Sequence, residues 1–459
     1  MFDASLSVIE ALMSGKRQYV TLTVTESDGT TSHTLTEANI VKGGFSIDNY
    51  CATGSRFEVG TAVAAQLSLK LFNADGDLDS INFKGAKIEV YIRVYTSQYE
   101  QQGFWAGIYN VDTVVTNQSS IDITAFDNML LFDKQVGESY EDFYLSRGDL
   151  TFYATGLTVT QGTFGWLFAW ICSDCGVSID AVMFDSDMLE YFSQTFIDTK
   201  ITDIPNMANL TYRALLMNIC SLAVSIAIMS GRGNLKINTF DRQSSPALVF
   251  ESSQIFSSDV DNESKQECLG ICYTTAAGTE IALRPETYSD DSASGYINCD
   301  RSVIAYEDDD STQADYDNPD HGNLRWWQYK RAIRSSYVPF NAITMPAPYL
   351  QPGDLINIPS MANTSDVGHI SHITYVLNGR TRISGDELIN DDTLSRSSYA
   401  WQGSQTGQSF AMLEDRVSAL EQGGGSSDHY TYMIGSDGVE YKGMLRCING
   451  KPYYEYEEA

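Results

Sequence analysis

Lys87-Ile88-Glu89-Val90-Tyr91-Ile92-Arg93-Val94-Tyr95 alternates polar and apolar residues without a break. A period of two, filled with β-branched and aromatic residues, is the pattern of a strand buried on one face. The stretches around it repeat the pattern. Tyr19–Thr25, Leu67–Phe72, Phe104–Val111 and Ser120–Ala125 alternate in the same way, and Ser27-Asp28-Gly29 supplies a turn before Thr31–Leu35, predicting a hairpin. Strands this closely spaced predict a small barrel or sandwich over residues 1–134. The 27 Tyr, and 35 Gly against 10 Pro, extend the β prior to the whole chain.

Beyond Asp133 the period changes. Thr163–Cys175 and Thr211–Met229 carry apolar residues at three-to-four spacing and are expected as helices, the second capped near Asn209 or Thr211 and ending at Gly231. Gly233-Asn234 then leads into a strand, Leu235–Phe240. Residues 135–245 thus form an α+β middle domain. From Ala247 to about Ser395 strand signals return, interrupted by the acidic stretch Glu307–Asp320, which reads as a solvated loop. The expected fold class is mainly β with an α+β middle domain, the second β region being residues 246–395.

The end of the chain carries a different signal. Phe410, Leu413, Val417 and Leu420 fall at coiled-coil a/d spacing, with Arg416 and Glu421 flanking in the R-h-x-x-h-E pattern of trimeric coiled coils. There the guanidinium pairs with a neighbouring helix's carboxylate while its stem covers the seam. The alternative is an amphipathic helix packed on its own domain. Residues 396–422 are read as linker and short coiled coil. In residues 423–459 the run Gly423-Gly424-Gly425-Ser426-Ser427 precedes a small Tyr-rich β module, too short to bury a core alone.

Charge and cysteines limit the function classes. Twenty-nine basic against 60 acidic residues give a formal charge of −31. Such a surface repels a phosphate backbone, so static nucleic-acid binding is not expected. The acid either keeps the protein soluble or lines a channel past which a polyanion slides, and composition does not choose. Met1–Arg17 reads as a short amphipathic helix through Phe2, Leu6, Ile9 and Met13 rather than an export signal. No apolar run reaches a membrane span. Cys172 and Cys175 form a CxxC inside the apolar stretch Phe164–Val177, without a second pair at zinc spacing, and are expected as core thiols rather than a redox or metal site.

Catalytic signatures are missing: there is no HExxH, GxSxG or phosphate-binding glycine loop. His369 and His372 lack a third ligand. Asn73, Asp75, Asp77 and Asp79 alternate as in a calcium loop, but Leu78 and Lys84 occupy the positions that need Gly and Glu, so a polar turn is expected. No catalytic, cofactor or metal residues are assigned.

Several segments, in order, resemble the tail hub or baseplate hub family of long-tailed bacteriophages and related contractile injection systems. They are Phe57–Asn73, Phe83-Lys84-Gly85-Ala86 leading into Ile88–Tyr95, Gly107–Val111, and Ile121 to Met129. Leu210-Thr211-Tyr212-Arg213, Gly233–Ile237, Gly353-Asp354-Leu355-Ile356-Asn357-Ile358 and His372–Leu377 continue the likeness, which covers most of residues 1–395. It implies a structural homotrimer with two β-barrel-like hub domains per chain that mimic one another. Three chains would then offer a six-fold ring to the tail tube, with distal tail and fibre or tip proteins as further partners and DNA passing through. It also implies assembly in the host cytoplasm and residence at the virion tail tip. Relatives often end in a spike or peptidoglycan hydrolase, whereas this chain ends in the short helix and β module, so wall degradation is not expected. A receptor-binding role for the Tyr-rich end is the rival reading, through Tyr430, Tyr432, Tyr441, Tyr453, Tyr454 and Tyr456.

Overall fold

A computed structural model describes residues 4–51, 60–151, 158–179, 198–223, 225–239, 246, 248–262, 266–267, 270–274, 280–283, 296–298, 304–307, 336–363, 366–385, 430–434, 440–448 and 451–458. By its contacts the chain divides into Met1–Gly403 and Ser404–Ala459. In the second part, Tyr430–Ile434, Glu440–Ile448 and Lys451–Glu458 form a three-stranded antiparallel meander.

The first part is mainly β. Its principal sheet holds eleven strands: β1 Gln18–Thr25, β2 Ser32–Thr36, β3 Ile40–Tyr50, β4 Gln66–Phe72, β5 Lys87–Tyr95, β6 Gln101–Thr116, β7 Ser120–Asp127, β8 Ile255–Val260, β9 Phe340–Thr344, β10 His372–Val376 and β11 Thr381–Gly385. Their order is β8-β9-β11-β10-β3-β4-β7-β6-β5-β1-β2, antiparallel at every joint. The alternation in the sequence is the cause. In β5, Ile88, Val90, Ile92 and Val94 enter the core while Lys87, Glu89, Tyr91 and Arg93 face away. The β1–β2 turn has Gly29 at φ 71°, and the Asp28 carboxylate accepts from the Thr30 and Thr31 amides at 2.8 and 2.9 Å. That local bonding is the Asx-type closure the sequence implied.

The expected closed barrels are not formed: among the described residues the end strands β8 and β2 do not pair with each other. Closing the first β region on itself would require β2 to pair with β3. Instead β10 occupies the free edge of β3, pairing Tyr50 with His372 and Asp48 with Thr374. Two β regions far apart in sequence become one sheet.

The same topology occurs twice, with four strands of the second copy in that sheet and its remaining strand in a separate three-stranded sheet with Leu248–Val249. In one module β3, β4, β7, β6 and β5 neighbour each other in that order. In the other, β8, β9, β11 and β10 follow the same order, and Gly368–His369, just before β10, pairs with Leu355–Asn357 in the position of β5. Both modules begin with a 3₁₀ turn closed by a capping box, Glu37–Asn39 after Thr36 and Ser252–Gln254 after Glu251. Both enter the fifth strand through a left-handed glycine two residues earlier, Gly85 at φ 68° and Gly353 at φ 84°. The first strands share a short motif at their ends, Ile47-Asp48-Asn49 and Val260-Asp261-Asn262.

Helix α1, Leu6–Met13, lies against the sheet core with Met13 buried and Ile9 packed on it as expected, but the face is shifted at Leu6. Leu6 is 71% exposed, whereas Val8, Ala11 and Leu12 are buried. Phe2 lies outside the described residues, and the i, i+3, i+4 set beginning at Val8 is the one that meets β5.

A second core is built by the middle helices together with the short strands Ser225–Met229 and Leu235–Thr239. Helix α2 spans Tyr140–Ser146, α3 Phe164–Cys175 and α4 Tyr212–Leu222. Thr163 and Thr211 cap α3 and α4 through bonds from the Trp166 and Ala214 amides. Gly176, at φ 67°, ends α3. The expected helix to Gly231 stops at Leu222; Ser225–Met229 is instead a strand, paired with Leu235–Thr239 and with Thr61–Ala62. All five of its residues are buried. An apolar run buried on both faces has neither period, so spacing alone cannot separate helix from strand there. No described helix is long and apolar enough to cross a membrane.

Candidate assembly interface

The β3–β10 joint is the best-specified junction in the sheet. On its outward face the Thr374 hydroxyl donates to Asp48 at 2.7 Å, and the His372 imidazole lies 3.9 Å from the same carboxylate and edge-on to Tyr50. His372, then the Thr374 hydroxyl, hold the Asp48 carboxyl below its ordinary range against partial burial. On the inner face Gln18 and the Asn378 backbone and side chain bond reciprocally. The Gln18 amide donates to Asn378 Oδ1 at 2.8 Å, the Asn378 amide to Gln18 Oε1 at 3.0 Å, and Asn378 Nδ2 to the Gln18 carbonyl at 3.1 Å. The buried Tyr375 hydroxyl also donates to Gln18 Oε1. Asn378 takes φ 54°, a left-handed conformation that Asn tolerates.

Several lengths of backbone edge in this sheet have a strand on one side only among the described residues, the outer edge of the end strand β2 among them, and two of them bear on assembly. One is the outer edge of β8. The other is residues 112–116 of β6, which pair with β7 but extend past the end of β5. Both carry mostly exposed side chains, with Val115 51% exposed and Phe256 47%. The outward face between them mixes Lys70, Lys87 and Arg382 with Asp48, Glu89, Asp122 and Asp259. It is therefore not a one-sign surface.

The buried titratable groups are built into packing. Arg147 binds Glu138 at 2.8 Å and Asp174 at 2.6 Å and stacks over Phe143, and Tyr212 donates to the same Asp174 at 2.9 Å. Arg213 reaches Asp133 at 2.7 Å and the Met129 carbonyl at 3.0 Å. Asp127 caps the turn Asn128–Asp133 by accepting from the Met129 amide at 3.0 Å. Burial raises its carboxyl to about 7.

A folded-state value above the unfolded one means that the native state holds the proton more tightly. The associated stability is therefore present below about pH 4 and lost as pH rises through about 7, by at most on the order of 4 kcal/mol. Asp127→Asn keeps the acceptor and removes the titration. Denaturant midpoints measured from pH 4 to 8 are expected to fall more steeply in the parent than in this variant; parallel profiles would contradict the assignment.

Cys172 and Cys220 are buried and Cys175 is half-buried. Desolvation drives the Cys172 thiol well up and raises Cys175 and Cys220 to about 12, which keeps all three protonated and weakly nucleophilic. The CxxC is therefore core packing at the end of α3. His369 is buried and His372 exposed, so the two do not share a site. Asn73 organises its loop by accepting from the Leu78 amide at 2.9 Å and donating to Asp79 at 2.8 Å, the polar turn expected. Among the described residues no group of three or more His, Cys, Asp or Glu side chains is gathered to hold a metal. Phe410, Leu413, Arg416, Val417, Leu420 and Glu421, expected from the sequence as a trimerising seam, and residues 308–320 of the acidic stretch lie outside the described residues. Sequence reasoning missed the β3–β10 joint and the Gln18 clasp. The Asn378-Gly379 dipeptide and the repeated hydrophobic-Asp-Asn motif were the available signals.

No known protein family matches the chain, and no curated protein is significantly similar to it. Among solved structures the chain is similar to the 43 kDa tail protein of prophage MuSo2 from Shewanella oneidensis, at 14% identity and a TM-score of 0.41, over 80% of this chain and 97% of that one. It is also similar to the tail protein from Neisseria meningitidis MC58, at 12% identity and a TM-score of 0.39, over 81% and 97%. Likeness at this distance does not fix a function.

Proposed function

We propose that the chain is a structural, non-enzymatic phage tail hub protein, a homotrimer at the distal end of the tail tube that turns six-fold into three-fold symmetry and gives passage to DNA. The observation that carries this reading is the doubled module. Two copies of one strand order, joined through one sheet that holds all five strands of the first and four of the second, let three chains present six equivalent β modules. The family resemblance of residues 57–377 points the same way. Tail tube and distal tail proteins are the partners on the ring, with fibre or tip proteins below it, and the tail tip of the virion is its location. The working domains are 1–134 and 246–395 for the hub, 135–245 as the α+β body between them, 396–422 as linker and coiled coil, and 423–459 as linker and terminal β module.

Light scattering on the purified chain, and on one ending at Ser409, tests this. A mass of three chains is expected for the full protein, falling on truncation if Phe410, Leu413, Val417 and Leu420 form the seam with Arg416 and Glu421 pairing across it. A monomer at tens of micromolar would overturn the hub reading. In the adhesin alternative the tyrosines of strands Tyr430–Ile434, Glu440–Ile448 and Lys451–Glu458 bind a host receptor. Binding of the full chain to host cells, lost in a chain ending at Ser427, would favour it.

A further inference from the structure

We infer that neighbouring copies of this chain are joined by a repeat of its own internal joint: β8 of one copy adds antiparallel to residues 112–116 of the next. This rests on the reading of the chain as self-assembling, and names the surfaces that meet. The argument is one of position. Ile40 and Ile255 both follow the capped 3₁₀ turn, and they pair with Leu71 and Thr344. Those in turn pair with Ile121 and Thr381, and these with Thr116 and Tyr375. Val115 therefore occupies in the first module the place that Thr374 occupies in the second. By the same ladders Asp261, next to Val260, occupies the place of Asp48.

Within the chain, Thr374 and Asp48 face each other across the joint with their side chains in contact. The first strand of one module thus binds the outer end of the fourth strand of the other. The remaining first strand, β8, and the remaining fourth-strand end, 112–116, each have an open side among the described residues. They are complementary by construction, because each is the counterpart of a surface already paired in the molecule. Thr113-Val114-Val115-Thr116 is also a β-branched run in which Val115 is exposed apolar surface, of the kind that proteins either cover or blunt. A joint of this type is heterologous, so it propagates from copy to copy and closes only as a ring. The expected register pairs Val115 with Asp261, Thr116 with Val260 and Asn117 with Asp259 of the next copy.

The test is a cysteine pair, Val115→Cys with Asp261→Cys, in the full chain. Both positions are exposed, and side chains in contact across a ladder lie within disulfide reach. Under mild oxidation most of the chain is expected to migrate as disulfide-linked multimers that collapse to monomer on reduction. Each single variant, and Glu89→Cys with Asp261→Cys, should remain monomeric on the same gel. Light scattering of the same samples before oxidation separates the readings. An oligomer without cross-linking overturns this joint and leaves the hub; a monomer without cross-linking overturns both.

Discussion

Replacing Trp166 by Ala is expected to cost about 3–5 kcal/mol, enough to unfold the α+β body at moderate denaturant. Trp166 is fully buried, in the first turn of α3. Its ring meets Phe143 edge-on at 5.4 Å and Tyr144 at 5.9 Å, and its indole N–H donates to the Gly148 carbonyl at 2.8 Å. Truncation would leave a cavity walled by α2 and remove one of two donors to the Gly148 carbonyl, which the Trp170 indole N–H also reaches at 3.2 Å, so the transfer and cavity terms dominate. Trp166→Phe refills much of the cavity and loses the donor, and is expected to cost about half as much. Urea unfolding followed by far-ultraviolet circular dichroism would measure both. A Trp166→Ala midpoint within experimental error of the parent would show that the body does not depend on this packing.

Gln18→Ala is expected to cost about 2–4 kcal/mol, in a different place. One side chain serves the Tyr375 hydroxyl and the Asn378 amide, and its own amide is held by Asn378. Removing it leaves the buried Tyr375 hydroxyl without a partner, at about 1–3 kcal/mol, and the buried Gln18 stem loses its packing, while the Asn378 amide sits at an exposed residue where solvent can replace the bond. Tyr375→Phe removes only one of the bonds, from the partner side, and is expected to cost about 1 kcal/mol. If the cycle of single and double variants shows no coupling between positions 18 and 375, the clasp is not a unit. Hydrogen exchange should also report the loss at the β3–β10 joint first, since that joint lies beside the clasp.

What could be read from sequence follows from range. Strands such as β5 and β7 declare themselves because their burial alternates within a few residues, and the turn at Ser27-Asp28-Gly29 because Asp28 bonds its own neighbours. Thr211 was legible as a cap for the same local reason. Strand β3 was missed: Gly43 and Gly44 interrupt its alternation, at the irregularity between Ile40 and Phe45. Ser225–Met229 was misread because burial on both faces erases period. The joint between β3 and β10 is invisible to periodicity altogether, since nothing within either strand specifies a partner elsewhere in the chain. Its evidence was comparison of the chain with itself, through Ile47-Asp48-Asn49 and Val260-Asp261-Asn262. The assembly edges share that limit: each is an ordinary half-exposed strand end until its paired counterpart is recognised.

The same joint sets a timetable for synthesis. The pairing of Tyr50 with His372 spans about 320 residues. At roughly 5–20 residues per second, a ribosome leaves β3 without its neighbour for tens of seconds after β3 and β4 have emerged. For that interval the nascent chain displays the acceptor edge that a finished neighbour's β10 fits. On a polysome, where several such chains trail one another, the first closure available to a young β3 can come from an older chain rather than its own. Expression at high density would then favour exchanged pairs, in which each chain completes the other, and slower initiation would favour chains closed on themselves.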